Sequence, residues 1–439
     1  MADVRAEKYA EELGLLIKEQ TVSENNQTDK SAFYRVHQIL KELCPNLFGV
    51  VSVEEFDGSL LLRWTGKGDG EPILLMNHHD VVEAHGQWKY PPFSGTVAQD
   101  KIWGRGTLDT KSGLYSMLKA ADELVADGFI PKRDVYFVTT CNEECSGEGA
   151  DVISNQLKRR GLHFYLVLDE GGMIIEEPIS GAKGKFAMVG LGEKGCMDLK
   201  FIARSNGGHA STPTKNTPLV RLGKFMAAVE SKNLFKADIS PVVAETFYRI
   251  GGTMKGFTKL ALGHPRLFKP ILKRILPKFS ASANAVIRST VAFTMASGSK
   301  GANVLPNQAY VIANLRYSHH QGRDKSVEVL KKLADKFQIE TEIIDEGYES
   351  PLSDYKSQAF GVIERAVSEI FKDVKTCPYV MTAASDCRYM TRISENCFRF
   401  VPLTITDEQL SSIHGINENL DISALPSAVD FYKYVITEA

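Results

Sequence analysis

Acidic and histidine side chains recur in this chain just past short apolar runs: His78 and Asp80, Asp109, Glu143 and Glu144, Asp169 and Glu170, and near the far end His414. That is the ligand inventory of a two-metal hydrolytic site. Imidazole and carboxylate ligands without cysteine suit zinc, or cobalt or manganese, and a pair of such ions needs about five side chains, one of them bridging. The chain supplies them.

Each group sits where an active site can be assembled. Ile73 to Met76 reads as a buried strand with His78-His79-Asp80 directly after it. Val135 to Val138 leads into Asn142-Glu143-Glu144, and Phe164 to Leu168 leads into Asp169-Glu170. In open α/β sheets ligands bind outside the carboxyl ends of the strands, where groups distant in sequence converge. Asp109 is placed differently. It lies in a glycine-rich loop ahead of an amphipathic helix with Leu114, Met117, Leu118, Ala121, Leu124 and Val125 on one face and Gly128 as its stop. Glycine there lets the backbone approach an ion closely.

At 439 residues and 43% hydrophobic, the chain exceeds one ordinary core, which favours two domains. A formal net charge of -2 implies no nucleic acid or other polyanionic partner. The first residues carry no apolar signal region, and no stretch approaches the roughly 20 apolar residues that span a bilayer. The expected location is the cytoplasm, and membrane contact is not expected. Seven cysteines at irregular spacings suit reduced thiols better than a disulfide framework. Cys141 and Cys145 flank the glutamate pair, and buried inert thiols are preferred over thiolate ligands for them.

The fold class read from the pattern is α/β. A doubly wound mixed-sheet catalytic domain occupies residues 1–188 and 349–439, and an α+β lid or dimerisation domain is inserted over 189–348. The lid pattern is a strand from Met197 to Ala203, a loop at Asn206-Gly207-Gly208-His209, a helix from Thr217 to about Val229 and an irregular stretch. Strands Thr290 to Met295 and Gln308 to Arg316, a helix from about Asp324 to Phe337 and a strand Glu340 to Ile344 complete it. Two β-α-β units of this kind make a ferredoxin-like layer. If His414 shares a site with His78, this second domain interrupts the first.

Six signatures run through the chain in order: His78-x-Asp80-Val81-Val82, Gly104-Arg105-Gly106-x-x-Asp109, Glu143-Glu144 with Gly147 and Gly149, Gly208-His209-x-Ser211-x-Pro213, Asn303-Val304-x-Pro306 and His414-Gly415-x-x-Glu418. With these the sequence resembles the di-zinc metallopeptidase family of glutamate carboxypeptidase, aminoacylase and succinyl-diaminopimelate desuccinylase. The segment Ala384 to Tyr389 and the long lid most resemble carboxypeptidase S-like members. Asn77 and Glu83 depart from the family's usual glycine and proline.

The resemblance implies His78, Asp109 and Glu170 on one zinc and Asp109, Glu144 and His414 on the other, with Asp109 bridging. Glu143 is then the base. Two adjacent residues past a strand end point apart, so one carboxylate can bind metal while its neighbour faces the attacking water. Asp80 would accept the other N–H of the His78 imidazole, fixing its tautomer. Asp169 rivals Glu170 for the same metal, and Glu170 is preferred. By the resemblance, His209 stabilises the oxyanion across a dimer interface, and Asn303 and Arg316 hold the substrate carboxylate, for which a guanidinium fork is suited.

Taken singly, each of these residues has a plainer reading. A lone His-x-Asp is usually a solvated loop pair, a lone Glu-Glu is surface charge, and Arg316 is a surface ion pair; the joint pattern is what favours function. His79 is structural, and His85, His319 and His320 are exposed polar residues. The basic and apolar stretch 253–279 is read first as surface helices, with a membrane-touching or lipid-accepting lid as the sharper alternative.

The expected activity is that of a zinc-dependent carboxypeptidase or dipeptidase cleaving a peptide or N-acyl amide next to a free carboxylate. The alternatives are an N-acyl amino acid deacylase and, outside enzymes, a catalytically silent binding protein. The expected assembly is a homodimer through the lid, whose open sheet edge invites pairing.

Overall fold

The computed structural model describes residues 3–145, 147–279 and 281–439. It divides into two compact units, Met1–Gly192 with Arg249–Leu260 and Pro351–Ala439, and Glu193–Tyr248 with Ala261–Ser350. Residues 249–260 lie inside the stretch that the sequence pattern gives to the inserted domain, and they group with the first unit.

The first unit is built on a mixed sheet of ten strands among the described residues. At its centre Ile73–His78 pairs in parallel with both Val135–Thr140 and Leu166–Asp169, and Leu166–Asp169 pairs in parallel with Cys397–Arg399. Every residue of the first two of these strands is buried, as expected of parallel strands covered on both faces. Registers align the carboxyl ends, with His78 opposite Thr140 and Leu75 opposite Leu168. The residues that follow all three strands therefore emerge side by side.

Helix Lys111–Ala126 covers this sheet and is buried well beyond its apolar stripe, Ser112, Ser116, Lys119 and Asp122 included. It stops where the sequence indicated. Gly128 adopts φ +75, and the N–H groups of Gly128 and Phe129 close on the carbonyls of Val125 and Leu124. A small separate sheet pairs Lys101–Trp103 with both Thr96–Ala98 and Asn419–Asp421, antiparallel in each case. Residue Asn419 lies opposite Trp103, which brings the His414 loop beside the glycine-rich loop of Asp109.

The second unit holds a four-stranded antiparallel sheet in the order Thr290–Ser297, Gln308–Tyr317, Gly195–Arg204, Glu340–Tyr348. With helices Pro218–Ser231 and Arg323–Asp335 as connections, this is the β-α-β-β-α-β ferredoxin-like arrangement. Burial alternates residue by residue along Gln308–Tyr317, so one face is covered. Phe201 and Phe225 pack at 4.7 Å between ring centres, within a core of Met197, Leu199, Leu222, Leu315 and Leu330. The stretch read as irregular holds helices Pro241–Gly251 and Ala281–Ile287, and the 253–279 segment, read first as surface helices, holds Gly256–Gly263 and Lys269–Phe279. Each has at most 11 residues, too brief for a clear periodic signal. Among the described residues no helix is long and apolar enough to cross a membrane.

Candidate metal centre

His78 is the last residue of its strand, Glu143 and Glu144 follow Thr140 by three and four positions, and Glu170 directly follows the strand end Asp169. Asp109 precedes the helix that begins at Lys111. These elements bring one carboxylate between two imidazoles. His78 Nε2 lies 3.0 Å from Asp109 Oδ1, and His414 Nε2 lies 3.1 Å from Asp109 Oδ2. Glu144 Oε2 is a further 3.1 Å from the same His414 nitrogen. Ligand atoms of His78, Asp109 and Glu144 all fall within 4.8 Å of one another.

The electrostatics of this cluster bear on whether cations fit. Burial would raise the Asp109 carboxyl, but its hydrogen bonds with His414 and His78 hold it well below the usual carboxylate range. Its hydrogen bonds with Asp109 and Glu144 push His414 up to about 10. Glu143, Glu144 and Glu170 are raised, first by burial and then by one another's negative charge or that of Asp109. The pocket is thus crowded with carboxylates short of positive charge. Nitrogen and oxygen donors around a shared carboxylate are a donor set suited to divalent zinc, cobalt or manganese.

Asp169 is the last residue of its strand and Glu170 the first beyond it. Asp169 Oδ2 accepts the backbone N–H of Cys387 at 2.8 Å, capping the short helix Cys387–Met390. Burial pushes Asp169 up to about 6. Glu170 makes no side-chain hydrogen bond among the described residues, and its charge is felt with those of Asp109 and Glu143.

Asp80 does more than the sequence suggested. The nearest acceptor to His78 Nδ1 is the backbone carbonyl of Asp80 at 3.0 Å, with carboxylate Oδ1 at 3.4 Å. The two carboxylate oxygens instead accept the backbone N–H of Glu143 at 3.2 Å and of Glu144 at 3.0 Å, and Ser23 donates its hydroxyl at 2.7 Å. Asp80 therefore ties the histidine loop to the glutamate turn. Beside that turn, Arg388 Nη1 lies 3.7 Å from Glu143 Oε1. Asp386, which accepts the Thr140 hydroxyl at 2.7 Å, is raised by burial to about 7.

Two residues that sequence reasoning left without a role hold the other ligand loops. Glu418 is fully buried; its Oε1 accepts the N–H groups of Gly106 at 3.1 Å, Leu108 at 2.7 Å and Asp109 at 3.2 Å. Its Oε2 takes Arg105 Nη1 at 2.6 Å, while Arg105 Nη2 reaches the Gly415 carbonyl at 2.8 Å. The pair clasps the Asp109 loop to the His414 loop. Removing one partner of such a buried pair strands the other, at a cost of about 3–5 kcal/mol. The available signal was Glu418 itself, an acid four positions past a candidate ligand.

Other expected residues stay outside the cluster. His79 is buried, with Nδ1 against the Thr139 hydroxyl at 2.8 Å. The Cys141 thiol faces the Asp57 carbonyl at 3.3 Å and is raised by burial. His85, His319 and His320 are exposed.

Within the second unit, the two-residue strands Gly208–His209 and Val304–Leu305 pair with His209 opposite Val304. The Asn303 carbonyl accepts the Ala210 N–H at 2.9 Å, so the histidine and asparagine motifs are neighbours there. His209 is exposed, with Nδ1 at 2.7 Å from the Ser211 hydroxyl. Arg316 donates through Nε to Asn314 Oδ1 at 2.9 Å and through Nη1 to the Tyr348 hydroxyl at 3.3 Å.

Residues 74–438 match the model of peptidase family M20/M25/M40. Among curated proteins, the chain is similar to a probable carboxypeptidase S-like 2 of Dictyostelium discoideum, 30% identical over 415 residues covering 92% of this chain and 79% of that one. It is also similar to the N-fatty-acyl-amino acid synthase/hydrolase PM20D1 of Homo sapiens, 30% identical over 373 residues covering 84% and 74%. Among solved structures, an M20 family metallo-carboxypeptidase from Sulfolobus solfataricus superposes with a TM-score of 0.71 at 16% identity, covering 99% of this chain and 98% of that one. At that identity the likeness shows the fold.

Proposed function

Because the chain belongs to peptidase family M20/M25/M40 and is a metallo-hydrolase, we propose that it cleaves a peptide or N-acyl amide next to a free carboxylate at a centre of two zinc ions. The reading rests on Asp109, whose two oxygens each face a different imidazole. His78, Asp109 and Glu170 would hold one ion, and Asp109, Glu144 and His414 the other, with cobalt or manganese as substitutes. Divalent ions bound there supply Lewis acidity, polarising the scissile carbonyl and acidifying water. Glu143 takes the proton of the attacking water and passes it to the leaving amine, helped by a buried setting that favours its protonated form. Asp80 keeps that base in register with His78 through the two backbone N–H groups it accepts. His209 neutralises the oxyanion, and Asn303 and Arg316 hold the substrate's carboxylate.

A second reading, N-acyl amino acid hydrolysis, is favoured by the similarity to proteins named N-fatty-acyl-amino acid synthase/hydrolase. Two parallel series, dipeptides and N-acyl amino acids, each as free acid and as terminal amide, test both readings. Free acids should exceed amides in kcat/KM by about ten- to a hundredfold, the worth of a charge-assisted hydrogen-bond set. The series with the higher kcat/KM decides between peptidase and deacylase. Equal turnover of acids and amides would sink the carboxylate requirement.

The proposed assembly is a dimer through the second unit. That unit's outer strands Thr290–Ser297 and Glu340–Tyr348 leave edges on which Met295, Ile343 and Ile344 are exposed. If His209 completes the partner's site, His209→Ala and Glu143→Ala, each nearly inactive alone, should regain activity when mixed, because a heterodimer contains one site with both residues intact. Absence of recovery after native mass spectrometry has confirmed subunit exchange would place His209 in its own chain's site.

A further inference from the structure

From residue 246 to residue 323 the chain contains twelve lysines and arginines and no aspartate or glutamate, although its net charge as a whole is only -2. Within that span, helix Lys269–Phe279 of the second unit is half covered. Leu272 is buried and Phe268 and Leu276 are partly so, one residue in four along the inner side. The same spacing repeats one position earlier on the outer side. Leu267 is 76% exposed, Ile271 42% and Ile275 38%. A four-residue step keeps Ile271 and Ile275 on one helical face, and exposed Leu267 lies in the turn just ahead of the helix, so the three make an apolar ridge facing solvent beside the buried stripe.

The cations around this ridge divide in two. Lys269 and Lys273 Nζ atoms lie 2.9 and 3.2 Å from Asp238 Oδ1 and so are partly neutralised by the unit's own acid. Arg266 and Arg274 are exposed and make no ion pair among the described residues. An apolar ridge bordered by unneutralised guanidinium groups matches the interface of an anionic bilayer, where acyl chains take the ridge and phosphates take the arginines. A second copy fits poorly. A symmetric dimer over this face would bring like-charged arginines together with no acid in the span to offset them. Nucleic acid would leave the aliphatic ridge exposed to water.

We propose that the ridge of Leu267, Ile271 and Ile275, with Arg266 and Arg274, is a docking surface for an anionic lipid membrane. Docking does not depend on the catalytic reading, which is followed separately by hydrolysis of a water-soluble substrate. The experiment is co-sedimentation of the full chain with phosphatidylserine-containing vesicles and with pure phosphatidylcholine vesicles. The chain should sediment with the anionic vesicles and weaken as salt rises from about 0.1 to 1 M, which shortens the screening length from about 10 to 3 Å. The triple variant Leu267→Ser, Ile271→Ser, Ile275→Ser should lose about tenfold or more in partitioning, because the apolar area that enters the interface is removed. Arg266→Glu with Arg274→Glu should lose the preference for anionic lipid. Both variants should keep the wild-type circular dichroism spectrum and soluble-substrate turnover. Wild-type chain left in the supernatant, or a folded triple variant that sediments as well as wild type, would overturn the proposal. So would a wild-type dimer that the triple variant converts to monomer without any vesicle binding, or capture of a single-stranded RNA oligonucleotide that matches the vesicle binding and survives the triple substitution.

Discussion

Replacing Glu143 with alanine is expected to leave metal bound and to lower kcat by at least about a hundredfold, the scale of a positioned acid-base group. The carboxylate sits beside the cluster, 3.7 Å from Arg388, and none of the close imidazole contacts of Asp109 or Glu144 runs through it. Its removal leaves those contacts in place. The backbone of the turn is held independently, since Asp80 accepts the N–H of residue 143 whatever side chain follows. Elemental analysis beside steady-state kinetics checks both halves. Near-normal turnover would show that another group moves the proton, and metal loss would show that Glu143 is a ligand.

The second large effect is expected from Asp109→Ala. Its carboxylate is the one that reaches both imidazoles, so its loss should empty the centre rather than weaken one side. Activity should fall by more than the about 10- to 100-fold that loss of an outer partner of a metal ligand costs. Zinc should not restore it at concentrations that reactivate the chelated wild type. Thermal unfolding separates this from a folding defect, because the Asp109 backbone N–H remains bound to Glu418 in the variant. A variant that retains two ions per chain and turns over would rule out the bridging role.

Spacing alone carried the convergence of these groups, whereas the division into base and bridge came from the family resemblance. Charged residues after apolar runs place His78, Glu143, Glu144 and Glu170 together at strand ends, and the runs do form adjacent parallel strands. The reading put the first strand's end at Met76, yet pairing continues through Asn77 and His78 opposite Thr139 and Thr140. Polar residues that a site buries interrupt the continuous apolar run that marks a strand covered on both faces, so pattern stops short where function begins. Arg105 and Glu418 lie 313 residues apart, and local spacing carries no information about such an ion pair. Lys111 was equally silent. A lysine opening a helix reads as exposed, but this one is buried and donates to the carbonyls of Leu16 and Glu19 at 3.0 and 2.8 Å, next to the end of helix Arg5–Lys18. Its ammonium is lowered to about 7 by that burial.

The parallel register of the central strands also divides the chain by its tolerance of length change. His78, Glu143 and Glu170 leave one end of the sheet, whereas residues 65–72, 127–134 and 160–165 turn at the other, where Lys67 and Gly68 bond the carbonyls of Pro131 and Lys132. Additions to those far turns are absorbed by surface loops, because strand pairing between them and the site holds position. One residue added between Thr140 and Glu143 has no such buffer and would pull the glutamates off the Asp80 oxygens. Lineages of this chain are therefore free to drift in size at one end of the sheet and pinned to the residue at the other.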